Sequence, residues 1–355
     1  MEIQLTKTKT ITIGGGPKKR KSADIVGIDL FTDDARGCPA VRLVEKKGEL
    51  RLAAVGFVPA PANPLPSSWE EAAKSCSWSL PAPFQAPGAA FAVTSADMTF
   101  SQTAADAFHF DIAAGVPVSQ EGVRHVMKPM DAAEGFVMQA SLPEYQVLWL
   151  SRLLPEGRRP TATSIQVRPA ALSASILRQS AFREDDGAAL ALVVSAHEIH
   201  VAGYKGGDIV LWRKCRGIAG WEGLRLALKK GLGLEDDMIA GVLDDTLIDP
   251  RPVLDPIAAP IMNELAVSRD YLVGKLGVEP KRILALGLSA GERYWNAIAE
   301  ERLHLKLVAP NPFDGLVATE KTFVGEGAAT EGAGAAPFLG ALGAALAAIG
   351  EEAAK

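Results

Sequence analysis

The chain has 355 residues, 48% of them hydrophobic, and a formal net charge of −5. That length exceeds one small core and suits two or more subdomains, and the ordinary charge balance excludes a global nucleic-acid-binding surface. Cys38, Cys76 and Cys215 form no CxxC pair, which points to a reducing compartment and excludes a disulfide framework or a structural zinc. The N-terminus lacks an apolar h-region, so no secretory signal is expected. No run reaches the roughly 18 apolar residues that span a bilayer. The Ala-rich stretch 335–350 comes nearest and reads as a buried C-terminal helix.

In chain order, residues 1–22 read as a tail. Gly14-Gly15-Gly16 leads into the basic run Pro17-Lys18-Lys19-Arg20-Lys21, whose charges repel one another. Ile25-Val26-Gly27-Ile28 then reads as a buried strand with Asp29 at its end. A polar turn, Phe31-Thr32-Asp33-Asp34, follows, and Val41-Arg42-Leu43-Val44 returns as a second strand. Residues 50–58 (LRLAAVGFV) complete an antiparallel meander. A Pro/Ala loop comes next, then a helix start near Trp69 with Ser68 as a plausible N-cap.

Residues 91–160 read as a separate small α/β unit. Phe91–Thr94 is a strand. Residues 120–130 are expected as a helix, from the spacing of Val123, Val126, Met127 and Met130. Residues 135–142 form a strand, and Pro143 opens a helix through Tyr145. Thr163–Arg168 is a strand and Pro169–Leu177 a helix.

Residues 188–201 form the longest strand-like run, and Ile209–Lys214 pairs with it across Gly206-Gly207. This repeats the opening pattern of buried strand, polar turn and returning strand, so an internal duplication is expected. Helices are expected at 221–231, 236–245 and 253–276. A strand at 282–288, a helix at 291–300, a strand at 305–308 and the alanine helix close the chain.

In order, these residues resemble the type IV pilus assembly protein PilM, in the FtsA-like branch of the actin-like ATPase superfamily. The first phosphate hairpin is matched by Gly27-Ile28-Asp29-Leu30-Phe31-Thr32 and the second by Val193-Val194-Ser195-Ala196-His197. The adenosine motif is matched by Leu286-Gly287-Leu288-Ser289-Ala290-Gly291, and Asn311-Pro312-Phe313 looks like the family's NPF. Residues 141–177 follow its pattern of strand, Pro-initiated helix, strand and Pro-Ala-Leu helix. The resemblance covers about residues 24–350.

The resemblance implies a two-lobed, actin-like (ribonuclease H-like) α/β fold. Lobe 1 would comprise 23–90 and 161–186, with an inserted small α/β subdomain at 91–160. Lobe 2 would comprise 187–216, a helical subdomain at 217–278, and 279–355 as core and C-terminal helix. It implies a nucleotide cleft lined by Asp29, Thr32, Arg36, Ser195, Gly287 and Gly291, with ATP and with Mg²⁺ on Asp29 where nucleotide binds. It also implies a cytoplasmic scaffold beside the inner membrane, touching the membrane only through a partner. That partner is a single-span inner-membrane protein of PilN type, whose N-terminal tail would lie in a groove walled by Phe91, Val93, Phe136, Val137, Leu142 and Tyr145. A pilus motor ATPase and further copies of the chain are the other partners it implies.

The motifs are degenerate. Phe31 stands at a family glycine, Ser195 at the family's aspartate and His197 at its glycine, while Asp33 and Asp34 add carboxylates. Each carboxylate beside a phosphate costs about 1–3 kcal/mol. Each lost charged contact costs roughly 1.5–3 kcal/mol. Together these weaken triphosphate binding about a hundredfold or more, even with Thr32 or Arg36 compensating. Hydrolysis is therefore expected to be lost; a working actin-like ATPase or sugar-kinase relative is the alternative. A second alternative rests on Gly287-Leu288-Ser289-Ala290-Gly291, which matches the GxSxG nucleophile elbow. Only His304 follows it, too soon for that fold. Of His197, Glu198 and His200 only the last two share a strand face, which makes too few ligands for a metal, so hydrogen-bonded or exposed histidines are expected.

Overall fold

The strand Asp24–Ile28 (β1) is apolar and buried except at its first residue. Such a strand needs neighbours on both edges and cover on both faces. A computed structural model supplies them; it describes residues 23–30, 36–46, 49–58, 77–81, 90–95, 123–129, 136–146, 149, 163–177, 188–195, 197–215, 220–235, 238–239, 249–287, 292–309, 311–330 and 333–354. Strand β1 pairs antiparallel with β2 (Cys38–Lys46), which pairs antiparallel with β3 (Glu49–Val58). On its other edge β1 runs parallel to β4 (Ser77–Pro81), and β4 runs parallel to β8 (Thr163–Gln166).

The second lobe repeats this arrangement strand for strand. Strand β9 (Ala189–Val194), buried at every position, pairs antiparallel with β10 (Ile199–Lys205), and β10 with β11 (Asp208–Lys214). On its other edge β9 runs parallel to β12 (Arg282–Leu286), and β12 to β13 (Lys306–Val308). The orders β3-β2-β1-β4-β8 and β11-β10-β9-β12-β13 match in every sense of pairing. The run 188–201, expected as one strand, breaks into two at the turn 195–198.

The inserted unit is an antiparallel sheet in the order β5-β7-β6: β5 (Ala90–Ser95), β7 (Phe136–Pro143) and β6 (Val123–Pro129). Residues 123–129 are thus a strand and not part of the helix expected at 120–130. A short apolar run with Val123, Val126 and Met127 suits either period, and pairing along β7 from Val123↔Pro143 to Pro129↔Val137 decides it. The expected helix near Trp69 and that at 236–245, like tail 1–22, fall wholly or largely outside the described residues.

Helix α1 (Arg168–Ile176) follows β8 with proline in its first turn. The second lobe adds α2 (Trp221–Leu232), α3 (Arg251–Leu276) and α4 (Glu292–Leu303). After α4 and β13 the chain leaves that lobe, where 279–355 was expected to stay. The Asn311 side chain accepts the Phe313 N–H at 3.1 Å, and Phe313 is buried 6.0 Å from the Phe338 ring in the first core. Strand β14 (Val317–Val324) joins β3, and helix α5 (Leu339–Ala354) covers β1. The pull is apolar: α5 presents Ala341, Leu342, Ala345 and Ala348 to a core holding Ile25, Val41, Leu43 and Leu52.

Candidate functional site

Asp29 directly follows β1, where the resemblance puts a metal-facing carboxylate. It is 1% exposed. Its Oδ1 and Oδ2 accept hydrogen bonds from the two terminal nitrogens of Arg168, at 3.2 and 2.6 Å. Arg168 is the first residue of α1. A Cβ at Gly340, in the first turn of α5, would overlap Asp29 Oδ2, so only glycine lets that helix end lie against the carboxylate. The same charge reaches the Cys38 thiol, whose pKa is raised by burial first and by Asp29 second.

The turn after β9 is closed on itself. Ser195 Oγ donates to the Glu198 carbonyl at 2.9 Å and accepts the Glu198 N–H at 3.1 Å. The Ser195 carbonyl accepts the Trp221 N–H at 2.8 Å, and a Cβ on Gly220 would overlap that carbonyl. Gly287, with φ +79°, lies against the Val194 carbonyl, where no Cβ fits. The structure thus brings Ser195 and Gly287 into one assembly around the end of β9. Arg36 belongs elsewhere: it donates to the Gly327 carbonyl at 2.8 Å and lies 4.2 Å over the Phe57 ring. Thr32, Phe31, Asp33 and Asp34 lie outside the described residues, as do Ser289 and Gly291.

Beyond the turn, buried Glu198 contacts Lys214 of β11, and its Oε2 lies 3.5 Å from His200 Nε2. Burial lowers the His200 pKa to about 4, against the opposing pull of Glu198. Among the described residues no three His, Cys, Asp or Glu side chains gather as a metal group.

Of the expected groove residues, Phe91 is in register with Ala140 and Val93 with Met138. Phe136, Val137 and Leu142 all belong to β7, and Tyr145 lies just beyond its end. Leu142 is buried, while Tyr145 and Trp149 are 58% and 46% exposed.

A hydrated Mg²⁺ needs an oxygen edge open to water. Asp29 has both oxygens on a guanidinium and almost no exposure, so this arrangement does not fit the metal. Arg168 was missed by sequence reasoning. It reads there as the last residue of a strand, and its one local signal is a cation at the start of a Pro-initiated helix, where the helix dipole disfavours it.

No family model and no curated protein matches the sequence. Among solved structures, a chain of a PilM-PilN type IV pilus biogenesis complex matches with a TM-score of 0.58 at 17% identity, covering 93% of this chain and 99% of that one. The chain has a PilM-like, actin-like fold. More distant likenesses include a Bacteroides thetaiotaomicron protein with an actin-like ATPase fold, at 8% identity and TM-score 0.39 over 80% and 90% of the chains. Another is the cytoplasmic domain of EpsL, an inner-membrane component of the Vibrio cholerae type II secretion system, at 9% and 0.39 over 92% and 95%.

Proposed function

We propose that this chain is a cytoplasmic, PilM-like scaffold of a type IV pilus or related secretion assembly machine. It holds the N-terminal tail of a PilN-type single-span inner-membrane protein and has lost nucleotide hydrolysis. The observation that carries the reading is the end-to-end likeness to a chain of the PilM-PilN complex, 93% of this chain against 99% of that one. No helix among the described residues is long and apolar enough to cross a membrane, which suits membrane contact through a partner. A motor ATPase and further copies of the chain are the other contacts such a scaffold makes.

The tail would bind extended beside the inserted sheet, where β7 ends. Leu142 forms the buried floor there, and Tyr145 and Trp149 offer exposed aromatic surface at helical spacing i, i+4. Rigid aromatics of this kind are the usual energetic centres of an interface. The test is fluorescence anisotropy, with the full chain titrated into a labelled peptide of the first residues of the organism's PilN-type protein. Saturable binding that a scrambled peptide does not show is expected, and its absence overturns the reading. Tyr145→Ala and Trp149→Ala should each weaken binding about tenfold, a hot-spot loss of about 1.4 kcal/mol, in variants that still unfold cooperatively.

A further inference from the structure

The Asp29–Arg168 pair joins residues 139 positions apart. Arg168 is 14% exposed and Asp29 1%. Local rules do not put a cation at the first residue of α1, because the amide dipoles there already point positive ends outward. The carboxylate is what holds it. Asp29 in turn lies against the first turn of α5, whose N-terminal dipole favours an anion, and Gly340 leaves room for it.

The pair fastens α1 to the end of β1 within the first lobe, and α1 runs on from there into the second lobe. Leu172 and Ile176 of α1 are buried in the second lobe's core, as is Leu339 at the start of α5. Ser173 and Tyr204 of β10 share a buried hydrogen bond of 3.2 Å, and Ser175 donates to the Leu339 carbonyl at 2.9 Å. The rest of α5 belongs to the first core. An actin-like protein that used nucleotide would need Asp29 turned toward the ligand and its metal. Here that carboxylate meets a bidentate guanidinium, the strongest geometry a side chain offers it.

We infer that Arg168 is a built-in cation for Asp29, held on the carboxylate that a magnesium nucleotide would need free, and that this ion pair fastens the start of α1 to the end of β1 without a ligand. The inference deepens the loss of hydrolysis proposed above into a loss of nucleotide binding, and it does not rest on the partner.

Thermal unfolding of the full chain tests it. Millimolar MgATP or EDTA should leave Tm unchanged, because neither finds a site. Asp29→Asn and Arg168→Met should each lower Tm by about 5–10 °C, since each strands a buried polar or charged partner. The double variant should lose no more than the worse single variant, because it leaves no buried charge without its counter-charge. A saturable rise with MgATP in the unaltered chain overturns this inference but not the lost hydrolysis, since a bound nucleotide need not be hydrolysed. No rise, but single losses that are absent or that add in the double variant, overturns the inference alone. Where a single variant does not fold, the double variant must still fold; its failure also overturns the inference.

Discussion

His200 shows how one residue's surroundings set a measurable property. Its ring lies 5.3 Å from Trp212, with Glu198 and Lys214 beside it. Burial lowers its pKa from 6.5 to about 4; Glu198 acts to raise it and Lys214 to lower it further. A base whose folded pKa is depressed binds its proton more readily in the unfolded chain. Its contribution is therefore fully present above pH 6.5 and is lost as pH falls toward 4. The shift corresponds to about 3 kcal/mol over that window. Urea denaturation between pH 7.5 and 4.5 is expected to show stability falling with pH, and His200→Gln is expected to flatten the fall. An unchanged slope in the variant removes His200 as its cause. Strand alternation alone predicts that Glu198 and His200 share a face. Lys214 was not predictable that way, because it arrives by the pairing His200↔Lys214 between β10 and β11.

At the scale of an element, α5 depends on small residues in register. A Cβ at Gly343 would overlap the Ala171 carbonyl of α1, and one at Gly27 of β1 would overlap the Ala341 carbonyl. Three backbones therefore approach more closely than side chains permit. Gly343→Ala must push α5 off α1 and should destabilise by about 1–3 kcal/mol. At Gly274, inside α3, no atom of a described residue lies within 4 Å of where a methyl group would stand, so Gly274→Ala should stabilise by about 0.5–1 kcal/mol. Urea midpoints of the two variants on opposite sides of the unaltered chain are the expected result. Two shifts of the same sign would refute the close-approach account. The Ala/Gly composition made this helix and its burial legible, but not its sheet. Nothing local in residues 335–350 distinguishes a first-lobe berth from a second-lobe one. The β6 error has a related cause. Seven residues are too few for hydrophobic spacing to separate a strand from a helix, and the deciding hydrogen bonds go to a strand seven residues downstream.

For the whole molecule, the duplicated hairpin pattern was enough to foresee two related lobes, because each copy carries its own apolar alternation. The way the lobes are joined was not foreseeable, since it depends on contacts between residues more than a hundred positions apart. Those contacts bear on how the molecule unfolds. Helix α1 places Leu172 and Ile176 in the second core while its Ala171 carbonyl packs on Gly343 of α5. Helix α5 starts with Leu339 in the second core and continues through the first. Neither lobe can melt without exposing apolar surface that the other lobe's helix covers. Lobes joined only by loops would unfold as two calorimetric transitions, as separate domains commonly do. Lobes sharing α1 and α5 should unfold as one. Differential scanning calorimetry of the full chain is therefore expected to give a single peak, with van't Hoff and calorimetric enthalpies agreeing. Gly343→Ala should move that peak without splitting it if the shared helices couple the cores. Two resolved peaks in the unaltered chain would show that each lobe holds its core alone, and that the crossing of α1 and α5 is a junction rather than a common core.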